Sequence, residues 1–172
     1  MAEVAKITGS AGGTIFYHFK TKEELFVSIL KNIKETIIND FHSYLESIRF
    51  ENGLEMVEGS ISFYLNCAGR MEDQFRLLHR HYPYELALAN PACRQYLEAI
   101  YECFIDVFEQ AIIHGQRDGS INNLPAKKTA LIIYSMVDGL VRFNTYNLYD
   151  AGALYNEVIE SCRRMLVNTR TP

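Results

Sequence analysis

A length of 172 residues allows one domain with a real core and a small appendage, and 48% hydrophobic and 12% aromatic residues with only four prolines describe a compact, helix-rich globule. The formal charge of −4 argues against a generic polyanion binder, for which a basic excess is expected, while leaving room for a sequence reader with a small contact surface. No apolar run approaches the length of a membrane span and the start lacks the basic-then-apolar order of a signal peptide, so a soluble cytoplasmic protein with no membrane partner is expected.

In chain order, the first predicted element is a short helix with Val4 and Ile7 as its apolar edge. Thr8-Gly9-Ser10 breaks it, because a glycine takes positive φ at little steric cost and a short turn between steeply angled helices needs that freedom. A second very short helix over residues 11–19 is odd by propensity: Gly12 and Gly13 weaken it by about 1 kcal/mol each relative to alanine. What glycines offer at a helix N-terminus is close approach of backbone amides to an outside group, a phosphate or a base edge.

Residues 5–25 fit the pattern A-x-x-x-G-x-x-x-G-T-[LI]-[YF]-Y-H-F-x-x-K-E-x-L through Ala5, Gly9, Gly13, Thr14, Ile15, Phe16, Tyr17, His18, Phe19, Lys22, Glu23 and Leu25. This resembles the DNA-binding signature of TetR-family transcriptional regulators. The resemblance implies that Gly12 and Gly13 approach base edges, that Thr14 and Tyr17 grip backbone or bases, and that Lys22 meets a phosphate. His18 contacts DNA or orients its neighbours, and Ile15 and Phe19 pack inward. Phe16 keeps its place in the reading surface but lacks the tyrosine hydroxyl usual there. Ala11 replaces the usual capping serine or threonine, a role Ser10 can take. The resembled regulators carry a further helix ahead of the point where Met1 stands, so the expectation is an N-terminally incomplete head drawn from a longer chain. Over residues 1–49 six basic side chains balance six acidic ones, a weak charge for DNA binding.

Beyond the motif the chain reads as helix after helix. Leu25, Ile29, Ile33, Ile37, Phe41, Leu45 and Ile48 recur at spacings of three and four, which predicts a long helix over residues 22–48 with a Thr21/Glu24 capping box at its start. After the Asn52-Gly53 turn a helix over residues 54–71 points Leu54, Val57, Ile61, Tyr64, Leu65 and Ala68 inward. A short helix over residues 73–82 stops near Pro83. Asn90-Pro91 opens the next, with a stripe of Cys93, Leu97, Ile100, Phe104, Val107, Phe108, Ala111 and Ile112, and residues 115–119 close it. Two last helices are predicted over residues 125–146 and 151–167, and no alternating run supports a sheet. The fold class is all-α: a partial helix-turn-helix head, residues 1–40 with the start of a linking helix, and a larger helical ligand-binding and dimerisation domain, residues 41–172.

In the resembled family the last two helices of each subunit form a four-helix dimer interface. Ser135 and Gly139 would let a partner helix come close, with Leu131, Val141, Leu154, Val158, Cys162 and Met165 as apolar contacts, or these residues complete the intrachain core. Aromatic and polar groups in the middle helices suit an apolar or amphipathic inducer: Tyr64, Cys67, Met71, Phe75, His79, Tyr82, Tyr101, Phe104, Asp138 and Arg142, with Phe63 and Asn144 beside them. The plainer alternative is ordinary core. Asp138 and Arg142, four apart, read as a helical ion pair, and His79 and His81, two apart, make a poor metal pair. Cys67, Cys93, Cys103 and Cys162 lack a Cys-x-x-Cys pair and read as small buried hydrophobes. No phosphate loop, His-Glu-x-x-His or Gly-x-Ser-x-Gly is present, so no catalytic residue, metal ligand or cofactor is expected. The expected function is a ligand-responsive repressor that binds a palindromic operator DNA as a homodimer. The competing class is a dimeric helical small-molecule-binding protein without DNA binding.

Overall fold

The computed structural model describes residues 19–167, and among them the chain is all-α with no strand. The helices are α1 (Lys22–Ser47), α2 (Gly53–Arg70), α3 (Glu72–Leu78), α4 (His81–Ala89), α5 (Pro91–Asp118), α6 (Ala126–Thr145) and α7 (Tyr155–Leu166), with a 3-10 turn (Ala151–Leu154) leading into α7.

Local chemistry fixes the starts of the long helices. Thr21 Oγ1 accepts the Glu24 N–H at 3.0 Å, and the Glu24 carboxylate returns to the Lys20 N–H at 2.8 Å, one residue earlier than a strict capping box requires. Asn52 and Asn90 cap α2 and α5 through Glu55 and Cys93, at 2.9 and 3.0 Å. Pro91 follows Asn90 at the first turn of α5, where its missing N–H costs least. Gly119, with φ at 82°, ends that helix in the left-handed conformation.

The long α5 helix is the hub, packed against α1, α2, α4 and α6. Its face of Cys93, Leu97, Ile100, Phe104, Phe108, Ala111 and Ile112 is buried. On α1 the expected stripe is buried from Leu25 to Phe41, and Phe26 and Leu30 widen it. Ile48 departs from that stripe: the helix ends at Ser47, Ile48 turns extended, and its side chain is 40% exposed. The start of α2 lies against α5 at unusually close range. A Cβ on Gly53 would stand 2.0 Å from the Gly115 nitrogen, and the Gly53 N–H donates to Asp118 Oδ2 at 2.7 Å.

Further expectations are corrected or decided by the structure. The helix predicted over residues 73–82 is two helices, α3 and α4, separated at His79 and Arg80. Pro83 does not stop a helix. It sits in the first turn of α4, where backbone N–H groups have no intrahelical partner to lose. Gly115 is not part of the closing turn but a buried residue inside α5, where a Cβ would stand 2.6 Å from the Ile121 side chain. Of the two readings left open for Val141, Val158 and Cys162, partner contact or intrachain core, the structure commits them to the core.

Candidate functional site

A polar centre lies inside this apolar packing, where α2, α3 and α6 meet. Tyr64 of α2 donates its hydroxyl to Asp138 Oδ1 at 2.6 Å, and His79, at the C-terminal end of α3, places Nε2 3.0 Å from the same oxygen. The Arg142 guanidinium approaches Oδ2 at 3.7 Å. The His79 side chain is 2% exposed and that of Asp138 14%. Aromatic rings enclose the group. Tyr64 makes edge-to-face contacts with Phe75, Phe104 and Tyr134, at centroid distances of 5.6, 4.5 and 5.7 Å. Each such pair contributes roughly 0.5–1.5 kcal/mol beyond its buried area. Tyr101 packs edge-on against Tyr134, and its hydroxyl is hydrogen-bonded to that of Tyr84 on α4.

The electrostatics follow from these contacts. Burial works against the Asp138 charge, but the hydrogen bonds from His79 and Tyr64 and the electrostatic attraction of His79 and Arg142 outweigh it and hold the carboxyl below its usual range. Burial, then the Tyr134 and Asp138 charges, push the Tyr64 phenol well above 10.0, so it stays a hydroxyl that can donate. Burial opposes the Arg142 cation, and Asp138 more than compensates. A carboxylate only accepts, so His79 must donate through Nε2–H; its Nδ1 has no hydrogen-bond partner among the described residues.

Seven of the ten residues expected to face a ligand therefore come together: Tyr64, Phe75, His79, Tyr101, Phe104, Asp138 and Arg142. Cys67 is buried further along the same helix as Tyr64 and Met71 just past its end, with Cys67 Sγ 3.7 Å from Met71 Sδ. Tyr82 stands apart. Its ring packs edge-on against Phe26 of α1 at 5.0 Å, and the Lys22 Nζ lies 5.2 Å above the same ring. Phe63 also stands apart, against Phe41 and Tyr44, and Asn144 is exposed. The reading of Asp138 and Arg142 as a simple helical ion pair is too small: the carboxylate is chiefly a partner for α2 and α3. Tyr134, one turn before Asp138, and Tyr84 were not anticipated. The i, i+4 spacing on α6 was the available signal for Tyr134. Tyr84 lies beyond Pro83, in a stretch for which no element was expected.

Of the residues expected to meet DNA, Gly12, Gly13, Thr14, Phe16, Tyr17 and His18 lie outside the described residues. Lys22 is exposed on the first turn of α1. Among the described residues no group of three His, Cys, Asp or Glu side chains could hold a metal ion. His81 is paired with Glu85 at 3.0 Å on the surface, away from the buried His79. Burial pushes the Cys67, Cys103 and Cys162 thiols up to about 11. No described helix is long and apolar enough to cross a membrane.

The helical bundle built around α5 shares its fold with solved structures of bacterial regulatory proteins. No family model matches the chain, and no curated protein matches it. Solved structures similar to it include a bacterial regulatory protein in the tetR family from Rhodococcus RHA1, with a TM-score of 0.71 at 20% identity over 96% of this chain and 84% of that one. The transcriptional regulator FadR from Bacillus subtilis, in complex with stearoyl-CoA, is similar with a TM-score of 0.68 at 22% identity, over 95% of this chain and 86% of that one. At such identity the likeness is one of fold.

Proposed function

We propose that the chain is a DNA-binding transcriptional regulator, a ligand-responsive repressor that reads a palindromic operator as a homodimer in the cytoplasm. One observation carries this reading: the DNA-reading signature of residues 5–25 runs directly into α1 of a bundle that shares its fold with transcriptional regulators. Residues 1–40 serve as the reading head with the start of the linking helix, and residues 41–172 bind ligand and dimerise. Gly12, Gly13, Thr14, Phe16, Tyr17, His18 and Lys22 form the DNA surface.

The outward face of α6 supports pairing of two copies. Leu131, Ile132 and Phe143 are 42, 52 and 41% exposed, Ser135 is exposed, and a Cβ on Gly139 would meet nothing within 4 Å. A palindromic operator requires two heads on a two-fold axis. The small-molecule part of the reading rests on the centre around Tyr64 and Asp138, and is supported by the fold shared with a regulator held with stearoyl-CoA.

A ligand shifts the heads only if it binds one of their arrangements better than the other. The α1 helix is the lever: its first turn is held on α4 by Tyr82, and Tyr82 follows His79 by three residues. Fluorescence anisotropy of the purified chain on the DNA flanking its own gene, with unrelated DNA and a salt titration alongside, tests the reading. Tighter, salt-sensitive binding to the flanking DNA is expected. Equal affinity for both DNAs at every salt concentration overturns the DNA-reading part and leaves the small-molecule-binding bundle in its place.

A further inference from the structure

The buried His79 ring is satisfied on one side only. Nε2–H is committed to the Asp138 carboxylate at 3.0 Å, and Nδ1, in a side chain 2% exposed, has no hydrogen-bond partner among the described residues. A buried acceptor left bare is costly, and fold-wide such groups find partners. We propose that Nδ1 of His79 is the anchoring acceptor for a neutral ligand that carries a hydrogen-bond donor on an apolar body, a phenol or an alcohol. This rests on the reading that the bundle senses a small molecule, and names its chemical class.

Charge decides against an anionic ligand. The centre already holds one carboxylate, Asp138, balanced by Arg142 at 3.7 Å. A ligand carboxylate would have to be desolvated beside Asp138 and would meet Nδ1 productively only after the ring took a proton. A neutral hydroxyl needs neither step. The apolar body is dictated by the surroundings, since the Phe75 ring lies edge-on to His79 at 6.0 Å and packs in turn against Tyr64, which packs on Phe104.

Room for it comes from α3. This helix has seven residues, carries Phe75 and is followed directly by His79 as its C-cap, and neither it nor α4 starts with a side-chain cap. A side chain caps α1, α2 and α5, while α6 and α7 start without one, as α3 and α4 do. The proposal requires α3 to move outward and part Phe75 from Tyr64, so that the pocket forms as the ligand enters.

The test is isothermal titration of the purified chain, without DNA, with 4-propylphenol, propylbenzene and 4-propylbenzoate. The phenol is expected to bind about tenfold more tightly than the hydrocarbon, with the benzoate weakest. In His79→Gln the amide nitrogen can keep the bond to Asp138, while its carbonyl falls on the other side from the lost Nδ1. The phenol's advantage should then drop to less than about threefold. Should that variant fail to fold, the long-range nitrogen–proton spectrum of the unaltered protein serves instead: phenol binding should move the His79 Nδ1 resonance upfield, as an accepted hydrogen bond requires. Equal binding of phenol and hydrocarbon, tightest binding by the benzoate, a phenol preference that survives His79→Gln, an unmoved Nδ1 resonance, or no binding of the phenol overturns the proposal. None of these outcomes touches operator binding, which is measured separately. A chain that bound the phenol and no DNA would lose the regulator reading and keep this one.

Discussion

Replacing Asp138 with asparagine removes one charge from the polar centre at almost constant volume. Oδ1 remains as acceptor for Tyr64 at 2.6 Å and His79 at 3.0 Å, so both hydrogen bonds survive but lose their charge assistance. Hydrogen bonds to charged groups contribute roughly 1.5–3 kcal/mol and neutral ones about 1, so the loss is about 1 kcal/mol per bond. On the other edge an amide donor would face Arg142, whose side chain is 45% exposed and can turn to water, adding only a few tenths of a kcal/mol. The expected destabilisation is therefore about 2 kcal/mol, which at a urea dependence of about 2 kcal/mol per molar moves the midpoint down by about 1 M. Equilibrium urea unfolding, followed by far-ultraviolet circular dichroism at pH 7, measures it. The same experiment at lower pH adds a second condition. The folded-state pKa of Asp138 lies below 3.8, so the contribution of its charged form is complete above that ordinary value and is lost as pH falls through the lowered one. The gap between the two proteins should therefore close in that acid window, from the wild-type side. Equal midpoints at pH 7, or a gap that stays constant into the acid window, would refute the reasoning.

Three other outcomes are expected. Gly53→Ala puts a methyl group 2.0 Å from the Gly115 nitrogen and 2.3 Å from its Cα, both backbone, so α2 must back away from α5 and the protein should lose at least about 3 kcal/mol in urea unfolding. Gly69→Ala, with nothing within 4 Å, should instead gain up to about 1 kcal/mol, and equal effects at the two sites would contradict the close approach. With their thiols at about 11, Cys67 and Cys162 expose roughly one thiolate in a thousand at pH 8, so iodoacetamide should label them only in denaturant; rapid labelling of the native protein, read by mass spectrometry, would deny their burial. Lys22→Ala should lower the slope of log affinity against log salt by about one unit on every DNA sequence, and an unchanged slope removes Lys22 from the phosphate contacts.

The long helices were legible because their apolar residues recur at one spacing over many turns, and because Thr21, Asn52 and Asn90 mark their starts. The break between α3 and α4 was not, since Pro83 reads equally as a stop and as a first-turn residue, and only tertiary packing chooses between them. Part of the candidate site was legible as composition: aromatic rings with a few polar groups on the middle helices. Its organisation was not. Tyr64 and His79 lie 74 and 59 residues from Asp138 in sequence, so spacing on one helix shows Arg142 as the partner and hides the two donors that matter more. The outward surface of α6 was half readable: Leu131, Ser135 and Gly139 face out as expected, while Val141, a turn and a half beyond Ser135, turns into the core.

The α6 helix is about 10 Å across. Tyr134 and Asp138 occupy its inner side, and Leu131, Ile132, Ser135 and Phe143 its outer side. In the proposed function one stiff rod therefore serves two equilibria, occupancy of the interior by a guest and association of the exterior with a second copy. Linkage makes their influence mutual: if a guest changes the association constant by some factor, association changes the guest's affinity by the same factor. Protein concentration then acts as an effector in its own right, and the same guest titrated into dilute and concentrated samples would report two affinities whose ratio measures the coupling through the rod.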